Sequence, residues 1–341
     1  MRFSELTQKR FKAFWKLKRA RFALLLLVVA YIMSLAAPLW ISDKPLYVNY
    51  KDESFFPVFS FYSDQDFGGQ YKTEMNYVEL RKRRGTSEDI SMILPLVPHS
   101  PLHAYLDREG QPPYAPSADH WLGTDNQGRD MLARLVYGFR ICMSFSLLTT
   151  LISMFFGVVL GGLQGYIGSK FDLLGQRLVE IWSALPFLYV VILVSVLIGR
   201  SFWILIGVLS LFSWIGLSQY MRAEFIRLRN FQFVKAAKAM GMSHRHIFFK
   251  EILPNGLTPL ITIAPFAIIG GIGSLTALDY LGFGLQPPTP SWGELISQGL
   301  QNIYAWWVSG FTILALFITL LLTTFVGEGV RDAFDPKGGD Q

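Results

Sequence analysis

Charge is scarce in this chain of 341 residues, and cysteine almost absent. Lys, Arg, Asp and Glu together make up 16%, against roughly a quarter in an average soluble protein. That excludes a disordered chain and a nucleic-acid-binding arm, both of which need dense charge. Cys142 is the single cysteine of the sequence, which excludes an internal disulfide scaffold. Catalytic patterns are missing as well. The five histidines (His99, His103, His120, His244, His246) sit in no HExxH or cysteine-rich setting, so no zinc site is expected. No GxSxG occurs, and the glycine-rich stretch 161–170 lacks the GxxxxGK[ST] order of a phosphate loop. No cofactor and no bond chemistry are expected of this chain. Any power source belongs to another.

What is abundant is apolar. Hydrophobic residues reach 51% and aromatics 15%, with 28 Phe and 9 Trp. They gather into six runs, at about 22–40, 141–167, 178–198, 202–221, 256–283 and 304–326. Each is long enough to cross the roughly 30 Å hydrocarbon layer as a helix. The first run has a basic lead-in and small residues near 34–37, features shared with a signal peptide, but its core is longer than a signal core and more runs follow. It reads as an uncleaved anchor. The pI near 9.3 reflects basic residues beside these runs, not a nucleic-acid surface. The expected fold class is an all-α membrane protein with six transmembrane helices.

Orientation follows the Lys/Arg bias of short flanks. Residues 1–21 hold eight Lys/Arg and one acid, Glu5, and segment 222–253 holds seven Lys/Arg. The opposite turns, 199–201 and 284–303, hold only Arg200. Both chain ends are therefore expected in the cytoplasm. The expected organisation is a cytoplasmic amphipathic segment 1–21, a first span 22–41, an extracytoplasmic insertion 42–130, a five-span core 131–330 and a cytoplasmic tail 331–341. Phe11, Phe14 and Trp15, at helical spacing among Lys12, Lys16 and Lys18, suit a helix in the inner headgroup layer. The insertion carries nine Lys/Arg against fourteen Asp/Glu, and enough aromatics to fold a small domain. Its prolines 95, 98, 101, 112, 113 and 116 mark an irregular return path. The charged segment 81–84 reads as a solvated face.

Within the spans, Gly157, Gly161 and Gly165 recur every fourth residue, which lets a neighbouring backbone approach one helix face. Pro186 interrupts the third span and is expected to kink it. Asp279 lies near the outer end of the fifth run. A carboxylate at that depth faces an aqueous path or bonds to a neighbouring element, so Asp279 and Pro186 are candidate path residues, with a structural or interfacial role for Asp279 as the rival.

The segment 222–254 is the most informative. A helix-forming run, 234–240, meets Gly241, a natural helix stop, and a second amphipathic run, 244–252, ends at Pro254. A helix–glycine–helix outside the bilayer forms a knob with exposed apolar residues, which needs the groove of a soluble partner.

This segment resembles the cytoplasmic loop of permease subunits of ATP-binding-cassette importers, with its pattern EAA, three residues, G, nine residues, I-x-L-P. Ala236, Ala237, Gly241, Leu253 and Pro254 match. Lys235 replaces the Glu, as in the peptide-importer branch, and Glu251 stands at the Ile position with Ile252 beside it. Stretches 120–140, 281–294 and 327–336 are similar to the oligopeptide/dipeptide C-type permeases. The insertion, with Asp43-Lys-Pro-Leu46, Phe56-Pro57 and Asp66-Phe-Gly-Gly69, resembles the subgroup importing oligopeptides and microcin C. The resemblance implies the type I importer permease fold, a bacterial inner-membrane location and a coupling role for Lys235, Ala236, Ala237, Met240, Gly241, Met242, Leu253 and Pro254. It also implies four kinds of partner: a homologous B-type permease, two cytoplasmic ATPases or one fused ATPase, an extracytoplasmic solute-binding protein and the lipid bilayer. No nucleic acid is expected. Relatives of this branch carry nickel chelates or sugars as well as peptides. A secondary transporter is the competing class, and would need a coupling-ion site for which Asp279 is the lone membrane candidate.

Overall fold

The computed structural model describes residues 5–83 and 90–334, with side chains from residue 9. Residues 335–341 of the expected tail 331–341, the end of stretch 327–336, the start of segment 1–21 and Arg84 of the solvated face lie outside the described residues. Two units make up the chain. One comprises residues 1–28, 142–286 and 316–341, the other 29–141 and 287–315.

In the first unit, α1 (Glu5–Lys16) leads into α2 (Lys18–Leu35). Phe14 is buried with Ala20 and Ala333, Arg10 donates to Thr258 Oγ1 at 3.2 Å, and Phe11 stays exposed. The aromatic face expected to lie in lipid is thus shared: Phe14 points into protein and Phe11 outward. The apolar run 22–40 lies on α2 and the short α3 (Ala37–Trp40). Because α2 starts with Lys18, Arg19 and Arg21, its apolar length falls short of the other spans.

Among the described residues, four helical stretches are long and apolar enough to cross a membrane, namely Met131–Ile167, Phe202–Leu228, His244–Tyr280 and Trp306–Phe334. A bent pair, α7 (Ser169–Ser183) with α8 (Phe187–Leu197), makes up to five. Pro186 does more than the expected kink. It adopts extended backbone between the two helices, which turn by 70°. The helical stretch Met131–Ile167 comprises α5 (Met131–Phe156), a wider turn at Gly157–Gly161 and α6 (Gly162–Ile167). A π-turn of this kind inserts one residue into the helix and commonly accompanies close packing or function. Gly161 fits against α9 (Phe202–Leu228): a Cβ there would lie 2.1 Å from the Ser218 carbonyl oxygen. One at Gly157 would lie 2.7 Å from Leu217 Cβ, and one at Gly165 2.4 Å from the Arg222 carbonyl oxygen. All three glycines face α9.

The second unit departs from the all-α expectation. Three short strands, β1 (Tyr47–Tyr50), β2 (Glu53–Phe55) and β3 (Ile90–Ile93), form an antiparallel sheet in the order β2-β1-β3. Val48 pairs with Phe55 on one side and Met92 on the other. Alternation puts Val48, Tyr50, Ile90 and Met92 on one face, against Phe67, Met75, Tyr77 and Leu80 around α4 (Tyr77–Arg83). That is the period-two pattern of a half-buried sheet. Residues 94–130 return without a regular helix or strand, as the prolines imply. The same unit holds the start of α5, the helix α13 (Trp292–Gln301) and the start of α14 (Trp306–Phe334). Trp292, 1% exposed, donates from Nε1 to the Leu135 carbonyl at 3.0 Å.

Candidate functional site

The knob is built in three steps. Helix α9 ends at Leu228, and α10 (Gln232–Ala239) follows after a tight turn. Helix α10 is closed by Met240 and by Gly241 at φ +75°, with Gly241 N bonding the Lys238 carbonyl at 3.0 Å and Met242 N the Ala237 carbonyl at 3.1 Å. These paired bonds are a Schellman stop, which favours glycine at its left-handed position. Ser243 then caps the next stretch by accepting from His246 N, and the chain runs through α11 (His244–His246) and a π-turn (Ile247–Ile252) into α12 (Leu253–Tyr280). The expected separate second helix and fifth span are one continuous 37-residue stretch, His244–Tyr280. Pro254 does not end a helix there. It stands at the second residue of α12, directly after the π-turn Ile247–Ile252, where the wider winding accommodates a residue without an N–H.

Burial divides the knob in two. Val234 and Ala237 are sealed against Phe225, Leu228, Ile247, Phe248 and Ile252, fixing α10 to the ends of α9 and α12. The other face carries exposed Lys235, Ala236, Lys238 and Ala239, with Met240 67% exposed. Met242 and Phe249 are also exposed, Leu253 is half-buried and Pro254 exposed. Exposed Met beside Gly and Ala makes an adaptable apolar contact surface. Beside it lies a cavity of about 520 Å³ lined by Tyr166, Ile167, Lys238, His244, Phe248 and Phe249 among others. Tyr166 Oη sits 3.0 Å from His244 Nδ1. Beneath the knob, Arg222 donates to both oxygens of Asp172, at 2.5 and 2.6 Å, tying α9 to α7.

The candidate path residues are apart from the knob along the chain. Asp279 is buried in the last turn of α12, where its Oδ1 accepts from Leu285 N at 2.6 Å. Gly284 passes so close that a Cβ there would clash with this carboxylate. Arg200 donates to the Gly282 carbonyl at 2.5 Å, bracing the same turn.

The second unit contains a charged cluster that sequence reasoning did not assemble. Asp125 Oδ2 accepts from Arg129 Nε at 2.7 Å and lies 3.3 Å from Arg134 Nε. Glu294 completes the set, with Oε1 3.0 Å from Arg129 Nη2 and Oε2 2.6 Å from Arg134 Nη2. Two arginines and two carboxylates balance, which is the condition for burying charge at all. Next to them Asp130 caps α5 through Ala133 N at 2.8 Å, and His120 Nδ1 lies 2.8 Å from its other oxygen. His99 stacks on His120 at 4.3 Å between ring centres. His99, His120 and Asp130 bring their ligand atoms within 4.8 Å. The His99 and His120 rings are tilted by 34° to one another, and His120 Nδ1 already faces the carboxylate that caps α5. Sequence signals existed only as separate stretches, 120–140 and 281–294; the ion pairs join them.

These features define a multi-pass helical membrane protein with a small folded insertion and an exposed apolar knob. The chain belongs to the family of binding-protein-dependent transport system inner membrane components, whose pattern it matches over residues 154–338. It is a multi-pass protein of the inner membrane. Over 336 residues it is 39% identical to the inner membrane ABC transporter permease protein YejE of Escherichia coli (strain K12), covering 98% of each chain. It is 38% identical over 358 residues to the peptidoglycan transport system permease protein YejE of Agrobacterium fabrum, covering 98% of this chain and 94% of that one. With the dipeptide transport system permease protein DppC of Bacillus subtilis it shares 35% identity over 244 residues, 71% of this chain and 75% of the relative.

Proposed function

We propose that this chain is the permease subunit of an ATP-binding-cassette importer that carries peptides into the cytoplasm by ATP-driven alternating access. The likeness to YejE over nearly the whole chain, with DppC behind it, supports a peptide cargo. Six spans with both ends inside remain the proposed topology, the first on α2 and α3 and the third on the bent pair. The Lys/Arg bias supports it, since 222–253 lies on the basic side. In this reading ATP is hydrolysed on separate subunits, and a second permease and a solute-binding protein complete the assembly.

The observation that carries the coupling role is the two-sided knob. One face is locked by Val234 and Ala237 to α9 and α12, while Met240 and Met242 stand exposed on the other. A force applied to the exposed face is transmitted rigidly to two spans. The contacts of Asp279 favour the structural reading, a carboxylate that holds the outer turn, over the path role. Purification in mild detergent tests the assembly: two ATPase domains and a second permease should accompany the chain. Peptide uptake by the reconstituted complex, dependent on ATP and binding protein, tests the function. Isolation of the chain alone, with uptake driven by an ion gradient, would overturn it.

A further inference from the structure

Helix α1 and the start of α2 concentrate positive charge beside apolar surface. Between residues 9 and 21 stand seven Lys/Arg and no acid. Two of the seven are engaged with the protein. Arg10 donates to Thr258 Oγ1 and lies 4.7 Å over the Phe334 ring, and Arg21 donates to the Trp15 carbonyl at 3.4 Å. Lys9, Lys12, Lys16, Lys18 and Arg19 are exposed, and among the described residues none of these five pairs with a carboxylate. Lys9, Lys12 and Lys16 follow at i, i+3 and i+7, so they share one face of α1, turned away from buried Phe14. Phe11 lies between the two faces, exposed, with its ring against Trp15 at 5.7 Å. Directly after Arg21 the exposed residues turn apolar, with Phe22, Leu25 and Leu26.

The helix is seated, not loose. Phe14 packs with Ala20 and Ala333, and a Cβ at Gly329 would lie 2.1 Å from Ala20 Cβ and 3.3 Å from Phe14 Cε2. Helix α1 thus rests on the last turns of α14, while Arg10 reaches the second turn of α12. Five cations with no counter-charge repel one another, and a helix of 12 residues is marginal by itself in water. Something of opposite charge completes this face. A protein groove would have to supply several carboxylates around an exposed phenylalanine. A headgroup layer supplies phosphates at one level and acyl chains directly below them, which suits lysines beside Phe11 and Phe22.

We infer that the Lys9–Lys12–Lys16 face, with Lys18 and Arg19, binds the phosphates of acidic phospholipids, and that α1 is thereby a lipid-held brace on the ends of α12 and α14. The inference rests on the topology proposed above and not on the cargo. It gives the transporter a dependence on the charge of the inner leaflet, read out at the helix that runs on from the knob.

The test follows backbone hydrogen exchange of the full chain in phosphatidylcholine vesicles, with or without about a third of phosphatidylglycerol. Phosphatidylglycerol should slow exchange across α1 and the last turns of α14 at least tenfold, and about 0.5 M salt should abolish the difference. Lys9→Gln combined with Lys12→Gln and Lys16→Gln should abolish it too, with unchanged exchange in α9 as the sign of an intact fold. Equal exchange in the two lipids would overturn the inference. So would a lipid effect that survives both in the triple variant and in high salt. Slowing at α1 without any at α14 would refute the brace. If inorganic phosphate with phosphatidylcholine vesicles replaces phosphatidylglycerol, the face is a site for free anions and the lipid assignment falls. Slowing that appears only when ATPase subunits are added would make it a protein contact instead. Trypsin cleavage within 9–21 in intact spheroplasts would refute the topology and take the inference with it. The exchange measurement involves neither peptide nor ATP, so its failure leaves the importer reading intact, and a failure of peptide uptake leaves the inference intact.

Discussion

Arg134 Nη2 lies 2.6 Å from Glu294 Oε2, joining the first turn of α5 to the first turn of α13 across 160 residues of sequence. Arg134 is fully buried and the Glu294 side chain is 19% exposed, and Asp125 and Arg129 complete the cluster. Removing one member strands the others in a medium that solvates them poorly. Glu294→Ala should therefore destabilise the protein by about 3–5 kcal/mol, read as a lowered unfolding midpoint of the purified complex. Replacing Arg134 and Glu294 together by Met should recover part of the loss, since no uncompensated charge remains between them. An unchanged midpoint in Glu294→Ala would mean the cluster contributes nothing.

Gly161 and Gly207 form a matched pair of opposite expectation. A Cβ at Gly161 would lie 2.1 Å from the Ser218 carbonyl oxygen, and one at Gly207 would meet nothing within 4 Å. Gly161→Ala should force α6 and α9 apart and cost about 1–3 kcal/mol. Gly207→Ala should be neutral or stabilising by up to about 1 kcal/mol, because alanine loses less backbone freedom in a helix. Detergent-resistance melts of the two variants side by side decide this, and equal behaviour would refute close glycine packing.

The glycine spacing was legible because it is a local pattern on one element. So was the helix stop at Gly241, whose left-handed turn only a residue without Cβ adopts easily. The small sheet was not legible. Its strands are four residues or fewer, and the alternation of Val48 and Tyr50 is too short to stand out from aromatic loop sequence. The ion cluster escaped for a different reason. Asp125, Arg129 and Arg134 read as ordinary loop and helix-start charges, and only the tertiary fold brings Glu294 to them. Continuity from His244 to Tyr280 was hidden by Pro254, which looks like a terminator unless a wider turn precedes it, as Ile247–Ile252 does here.

The exposed face of the knob yields a sharper test than its hinge. Met240 is exposed, so Met240→Asp should leave folding and membrane insertion unchanged. It should reduce binding-protein-stimulated ATP hydrolysis and peptide uptake together by at least tenfold, as a charge enters an apolar contact. At Gly241, Asn tolerates the left-handed turn and should keep most activity, whereas a β-branched Val should not. A bulky Gly241→Trp should uncouple uptake from hydrolysis with insertion intact. Full coupling in Met240→Asp would place the ATPase contact elsewhere.

His99 makes the second unit sensitive to acid. Burial pushes its imidazole below the ordinary value, and nearby His120 and Arg81 push the same way, against the Asp130 carboxylate and the Asp119 carbonyl. Its Nε2 lies 3.0 Å from that carbonyl, and its Nδ1 is buried without a partner. The folded protein therefore keeps His99 neutral where the unfolded chain, with a histidine near 6.5, already binds a proton. The unfolded state binds more protons, so stability rises with pH in this window. The penalty is absent well above pH 6.5 and grows as pH falls from there toward the depressed folded value. His99→Gln keeps a polar side chain of similar reach and removes the titration. Unfolding midpoints of the complex between pH 8 and 5 should fall less steeply for His99→Gln than for the parent, with the two curves diverging below pH 6.5. Parallel curves would show that His99 takes up its proton in the folded state as easily as in the unfolded one.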